Sequence, residues 1–207
     1  MTRRGALPRL SGMLQFMKSP RRVFAIVLLL TTLATVWVTG AAAMPFDQDV
    51  DRHHGGDEKI TQRDRVAAML ATAAYQDVAT AEKAGYASSL QTLGCFQSPG
   101  RGGMGVHYIK GDLMDATVDI TKPEALVYEL DAAGHITGLV AHEYIVPVDK
   151  WTSKKAPRLF GMDFHRHPTL PLWVLHAWLW KDNPSGVLED WNPAVRLCPA
   201  GVPIFGS

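Results

Sequence analysis

The chain has 207 residues, 47% hydrophobic and 20% charged, with a formal net charge of +1. That composition excludes a disordered chain and a multi-span membrane protein, and the length fits one domain or two small ones. Six basic residues (Arg3, Arg4, Arg9, Lys18, Arg21, Arg22) precede the first carboxylate, Asp47, leaving 15 Lys and Arg against 20 Asp and Glu downstream; a mildly acidic body without a basic run is poorly suited to a phosphate backbone, so nucleic acid is not an expected partner.

The first element is a targeting segment. Val23 to Val38 is a 16-residue apolar run behind a basic region, and it leads into Ala41-Ala42-Ala43. A positive n-region, an apolar h-region and an Ala-x-Ala site describe a secretory signal peptide, residues 1–43, cleaved after Ala43. The competing reading is an uncleaved anchor, which would be the chain's one membrane contact. Sixteen helical residues rise only about 24 Å, short of the roughly 30 Å hydrocarbon core. Arg21-Arg22 also fits a twin-arginine signal, so the export route stays open between that and the general secretory one. Either route delivers an exported protein, periplasmic or extracellular.

Residues 44–59 are polar, with His53-His54 and Gly55-Gly56, and read as a flexible lead. Residues 60–207 read as a single domain. Thr61-x-x-Asp64 is a variant of the capping box that opens a helix. Val66, Leu70, Ala74, Val78 and Ala81 then recur at helical spacing, and Gly85 fits the position just past its end. This predicts one amphipathic helix that lies against a sheet. Residues 86–103 read as irregular, with Pro99-Gly100 as the strongest loop signal. Strand periodicity follows in Gly105–Lys110, Glu124–Leu130 and His135–Val148, the last two joined by a Gly134 turn, then in Phe160–Phe164 and Leu172–Lys181. The predicted fold is α+β, one N-terminal amphipathic helix packed on a mainly antiparallel sheet or partial barrel.

Only two cysteines occur, Cys95 and Cys198, and in an exported chain they read as one disulfide. A loop of that length is worth about 4.7 kcal/mol in the chain-entropy picture. Five of six tryptophans fall after residue 150 and read as core aromatics closing a small sheet.

Three histidines interrupt strand-like apolar runs: His107, His142 and His176. Alternation groups Glu143 with Leu139, Ala141 and Ile145, His176 with Val174, Trp178 and Trp180, and His107 with Ile109. A carboxylate among apolar neighbours is paired, protonated or metal-bound. If their strands are neighbours, His107, Glu143 and His176 converge. Two imidazoles and one carboxylate suit Zn²⁺, or Fe²⁺ with open positions, and imidazole also suits Cu. Tyr108 or Tyr144 would then orient a ligand on the metal. The bland alternative is that each group is satisfied separately by hydrogen bonds. His165-Arg166-His167 reads as a solvated surface pair because Pro168 and Pro171 follow. The chain lacks Gly-x-Ser-x-Gly, His-Glu-x-x-His and a Walker-type phosphate loop, and its glycine-rich run Gly100–Gly105 precedes a strand instead of opening a helix, so it does not read as a phosphate cradle.

The motifs Gly103-Met-Gly-Val-His-Tyr108, Glu143-Tyr144, Leu175-His-Ala-Trp-Leu-Trp-Lys-Asp-Asn-Pro-Ser-Gly186 and Trp191-Asn-Pro193 occur in an order that resembles an uncharacterised group of exported bacterial proteins. The likeness spans about Ala71 to Cys198. It implies bacterial origin and export, and it places His107, Glu143 and His176 in shared motifs, but it supplies no reaction. Two function classes remain. One is metal handling, or metal-assisted chemistry on a small molecule, with one transition metal ion (Zn, Cu or Fe) as cofactor. The other is a non-catalytic cell-envelope binding or interaction module whose polar cluster is structural.

Overall fold

The computed structural model describes residues 60–205. The predicted signal peptide (1–43), the lead (44–59) and His53-His54 lie outside them. Among the described residues, no helix is long and apolar enough to cross a membrane.

Thr61 caps the first helix as its spacing predicts, its hydroxyl accepting from Asp64 N at 3.1 Å. The helix then departs from the single predicted one. It runs as α1 (Gln62–Thr72), a 3₁₀ turn (Ala73–Gln76) and α2 (Val78–Lys83). The break has a local cause: Asp77 is extended, and its carboxylate accepts from Ala79 N, so it starts a new helix as an N-cap. The inward face also differs from the predicted stripe. Val66, Leu70 and Ala74 are exposed, whereas Ala68 and Thr72 are buried; of the predicted stripe only Ala81 is fully buried. Small residues let the helices lie close to the sheet.

The main sheet contains β1 (Ala87–Ser88), β2 (Phe96–Ser98), β3 (Gly102–Ile109), β4 (Ala125–Leu130), β5 (Ile136–Pro147), β8 (His165–Arg166) and β9 (Leu172–Ala177). Its order is β1-β3-β4-β5-β9-β8, with β2 also paired to β3, and every strand pairing is antiparallel. The architecture is thus mixed helix and sheet, and the sheet does not close into a barrel. Two strands fall in the stretch read as irregular, and Pro99-Gly100 lies in the loop between β2 and β3. Phe160–Phe164 is not one strand. Phe160 and Gly161, both at positive φ (52° and 73°), form the turn joining β6 (Arg158–Leu159) to β7 (Met162–Asp163).

The sheet has two covered faces. On one, α1, α2 and their neighbours pack on Val106, Tyr108, Leu126, Tyr128, Tyr144 and Leu175. On the other, Val127, Ala141 and Trp178 pack under β2 and the C-terminal segment. β5 changes which residues face which side. Val127 pairs with Ala141 but Tyr128 pairs with Leu139, so Val140 is an extra, bulged residue. Leu139 therefore faces the helices, opposite to Ala141, Glu143 and Ile145. Trp180, beyond the end of β9, also leaves the face of His176 and reaches His142. Of the five late tryptophans only Trp178 is fully buried.

Cys95 and Cys198 are joined in a disulfide across 103 residues. Such a bond fits an oxidising, exported compartment. It ties the C-terminal segment to the turn before β2, where Cys95 N also donates to Pro203 O.

Candidate metal centre

His107 lies on β3, Glu143 on β5 and His176 on β9. Glu143 and His176 are direct cross-strand partners. His107 is not on a neighbouring strand, because β4 runs between β3 and β5. Two strand spacings amount to about 9.6 Å, which a His and a Glu side chain bridge only over small intervening residues. The register supplies them: Ala125 lies between Ile109 and Glu143, and Val127 between His107 and Ala141. His107 and Glu143 meet diagonally above Ala125.

The meeting is close. His107 Nε2 stands 3.3 Å from Glu143 Oε2, and His176 Nε2 stands 3.7 Å from Glu143 Oε1. All three residues are buried, and each offers a ligand-type atom within 4.8 Å of the others. Around a Zn²⁺ with bonds near 2.1 Å, tetrahedral ligand atoms stand about 3.4 Å apart. The cluster is close to that spacing. His176 Nε2 and His107 Nδ1 are buried without a hydrogen-bond partner.

Asp190 completes the arrangement. Its Oδ1 lies 3.1 Å from His176 Nδ1 and its Oδ2 lies 3.1 Å from His165 Nε2. Burial works against its charge, but the hydrogen bonds from His165 and His176 hold its carboxyl well below the usual carboxylate range. An ionised carboxylate only accepts, so the proton between them belongs to His176 Nδ1. In the neutral ring that leaves the Nε2 lone pair facing Glu143, the tautomer a metal ligand needs. Burial, helped by His176 and His167, pushes His107 down to about 3, so its ring is neutral. Burial raises Glu143, with His176 drawing it the other way. For His176, burial is outweighed by the Glu143 charge and the Asp190 contact, and its pKa is raised.

The cluster opens on a cavity of about 380 Å³, lined by His107, Glu143, His176 and Asp190 together with apolar side chains such as Phe96, Met104 and Leu172. His165 and His167 also line it, so they are not the solvated surface pair predicted. His165 is exposed but paired with Asp190, and His167 accepts at Nδ1 from Thr169 N and Leu170 N. Tyr108 and Tyr144, expected to orient a ligand, are on the helix-covered face. Tyr144 donates to Ile120 O at 2.8 Å, and Tyr108 packs against Tyr128. Asp190 was not anticipated, for it sits in a turn-rich segment without periodicity, and nothing in residue type there marks it as a brace.

His142 is the remaining strand histidine, and it is satisfied within the protein. Its Nε2 lies 2.8 Å from Thr72 Oγ1 and accepts from Trp180 Nε1 at 3.3 Å. It joins α1 to the sheet on the face away from the cavity.

Comparison with protein-family models, with curated proteins and with solved structures finds no match to the chain.

Proposed function

We propose that His107, Glu143 and His176 hold one divalent transition metal ion at the floor of the cavity, and that the ion meets a small molecule there. The observation that carries this reading is the braced, unpartnered His176 Nε2. A buried polar atom without a partner costs about 1–3 kcal/mol, and a metal ion between this nitrogen, Glu143 and His107 removes that deficit. The Asp190–His176 contact is the second-sphere carboxylate that metal-bound histidines use. Two nitrogens and one oxygen suit Zn²⁺ or Fe²⁺, and three protein ligands leave a position open towards the cavity. The ion would act as a Lewis acid or activate bound water. Export to the periplasm or medium, as the leading segment and the resemblance to exported bacterial proteins imply, belongs to the same reading.

The test is metal content by mass spectrometry of the natively exported, untagged protein, followed by Zn²⁺, Cu²⁺ and Fe²⁺ titration. About one equivalent is expected in the wild type and none in His176→Ala. Asp190→Asn should keep the ligands but weaken affinity by about 10–100-fold. Wild-type protein that takes up no metal from any of the three ions would overturn the proposal. The cluster would then be a structural polar network in a non-catalytic envelope binding module.

A further inference from the structure

His167 reaches the cavity from beside β8. That strand pairs His165 with Val174 and Arg166 with Trp173, and one step on His167 N donates to Leu172 O at 2.9 Å. Residues directly opposite each other share a face, so His167 stands with Leu172 and Val174 on the cavity side, while Arg166 and Trp173 point the other way. Leu172 and His176 are four residues apart on β9, about 13 Å of strand, so His167 is at the far end of the cavity from His176. Its tautomer is fixed by its own loop. Nδ1 lies 3.2 Å from Thr169 N and 3.0 Å from Leu170 N. Backbone amides only donate, so Nδ1 accepts, and the proton of the neutral ring is on Nε2. Burial is the largest influence on this ring and lowers its pKa, which favours the neutral form. The ring stands edge-on to Phe205, at 84° with 5.6 Å between centroids. With Nδ1 turned to the loop backbone, Nε2–H is the polar group left to the cavity, and it has no hydrogen-bond partner among the described residues.

We propose that His167 Nε2–H is a fixed hydrogen-bond donor for a carbonyl oxygen on a small molecule with an apolar body. A neutral imidazole whose tautomer is set by its surroundings can polarise a carbonyl without adding a charge to the site. The register supplies the place for the body. Val174 and Ile145 are cross-strand partners, and they lie between the Leu172–Pro147 pair beside His167 and the His176–Glu143 pair of the cluster. The oxygen therefore binds across an apolar floor from the ion. The volume falls at the lower end of the roughly 300–1,000 Å³ typical of small-molecule sites, which suits a ligand of this kind. The inference deepens the metal reading, and rests on it only for what meets the other end of the ligand.

The experiment titrates acetophenone and toluene by calorimetry into the natively exported protein. Acetophenone has a carbonyl oxygen as its one polar atom, and toluene has none. His167→Asn places Oδ1 where Nδ1 was, so the Thr169 and Leu170 amides keep an acceptor while Nε2–H is removed. Acetophenone should bind about fivefold more weakly to this variant and toluene equally well, with the melting temperature unchanged. Imidazole nitrogen NMR of the wild type should show His167 protonated on Nε2 alone, and that proton should shift when acetophenone is added but not with toluene. A ring protonated on Nδ1, an undiminished acetophenone affinity in His167→Asn, or an equal loss for toluene would overturn the proposal. His176→Ala separates it from the metal reading. The fivefold effect of His167→Asn should persist in that background, and it should persist even if the wild type takes up no metal, in which case the metal reading alone falls. An effect that disappears once the ion is lost places the oxygen on the ion, and the His167 assignment falls.

Discussion

Adjacent in β5, His142 and Glu143 point to opposite faces of the sheet, His142 into the helix-covered core and Glu143 towards the cavity. His142 sits among Thr72, Trp180 and Tyr144, with both ring nitrogens near partners. Burial pushes its pKa down to about 3. As pH falls below the ordinary value near 6.5, the unfolded chain takes up a proton there and the native protein does not. The stability owed to His142 is therefore complete above pH 6.5 and fades as pH falls towards 3. His142→Gln should cost about 1–3 kcal/mol at pH 7.5 in urea denaturation, because partners are left unpaired. That deficit should shrink at pH 4.5, with metal content unchanged. A deficit that grows on acidification would mean that the native protein carries a charged His142.

At the scale of elements, backbone irregularities aim the side chains. The bulge at Val140 turns Leu139 to the helices while keeping Ala141, Glu143 and Ile145 on the cavity face. Gly105 does similar work in β3. Its φ is 106°, a value that L side chains rarely adopt, and a Cβ there would run into the Tyr128 carbonyl. His107 follows two residues later, so its aim depends on that approach of β3 to β4. Gly105→Ala should destabilise by about 2–4 kcal/mol through clash and strain, and should reduce metal uptake. Gly134, also at positive φ but with open space around its Cβ position, is the control. Gly134→Ala should cost about 1 kcal/mol and leave metal uptake intact. Equal losses in thermal melts of the two variants would show that the close approach contributes nothing.

Across the whole molecule, the disulfide and the cavity are linked through the C-terminal segment. Asp190, Trp191 and Phe205 all line the cavity, and Cys198 lies between them in sequence. Phe205 N donates to Cys95 O and its ring stacks on Phe96, 4.3 Å between centroids. The bridge thus holds the segment that braces His176. Replacing both cysteines by serine should cost about 2–5 kcal/mol in chemical denaturation. Metal affinity should fall with it, because Asp190 is less firmly placed. Unchanged affinity in the folded double variant would show that the segment stays seated without the bridge.

By itself the sequence determined what short-range pattern and residue chemistry can carry. Period-two alternation marked the central strands, Thr61 marked the start of the helix, and two cysteines in an exported-looking chain marked the bridge. Apolar flanks picked out His107, Glu143 and His176, since burying such groups is costly wherever the chain goes. Tertiary structure decided what depends on register and on contacts between distant segments. The break at Asp77 is a local N-cap inside the helical stripe, whereas the strands within 86–103 and the reversal at Val140 each follow from pairing partners that local pattern does not contain. The same holds for the site. Alternation alone already sets Tyr108 and Tyr144 on the other face, whereas His107 reaches Glu143 because only Ala125 and Val127 lie in the register between their strands, and Asp190 reaches His176 because the tail folds back.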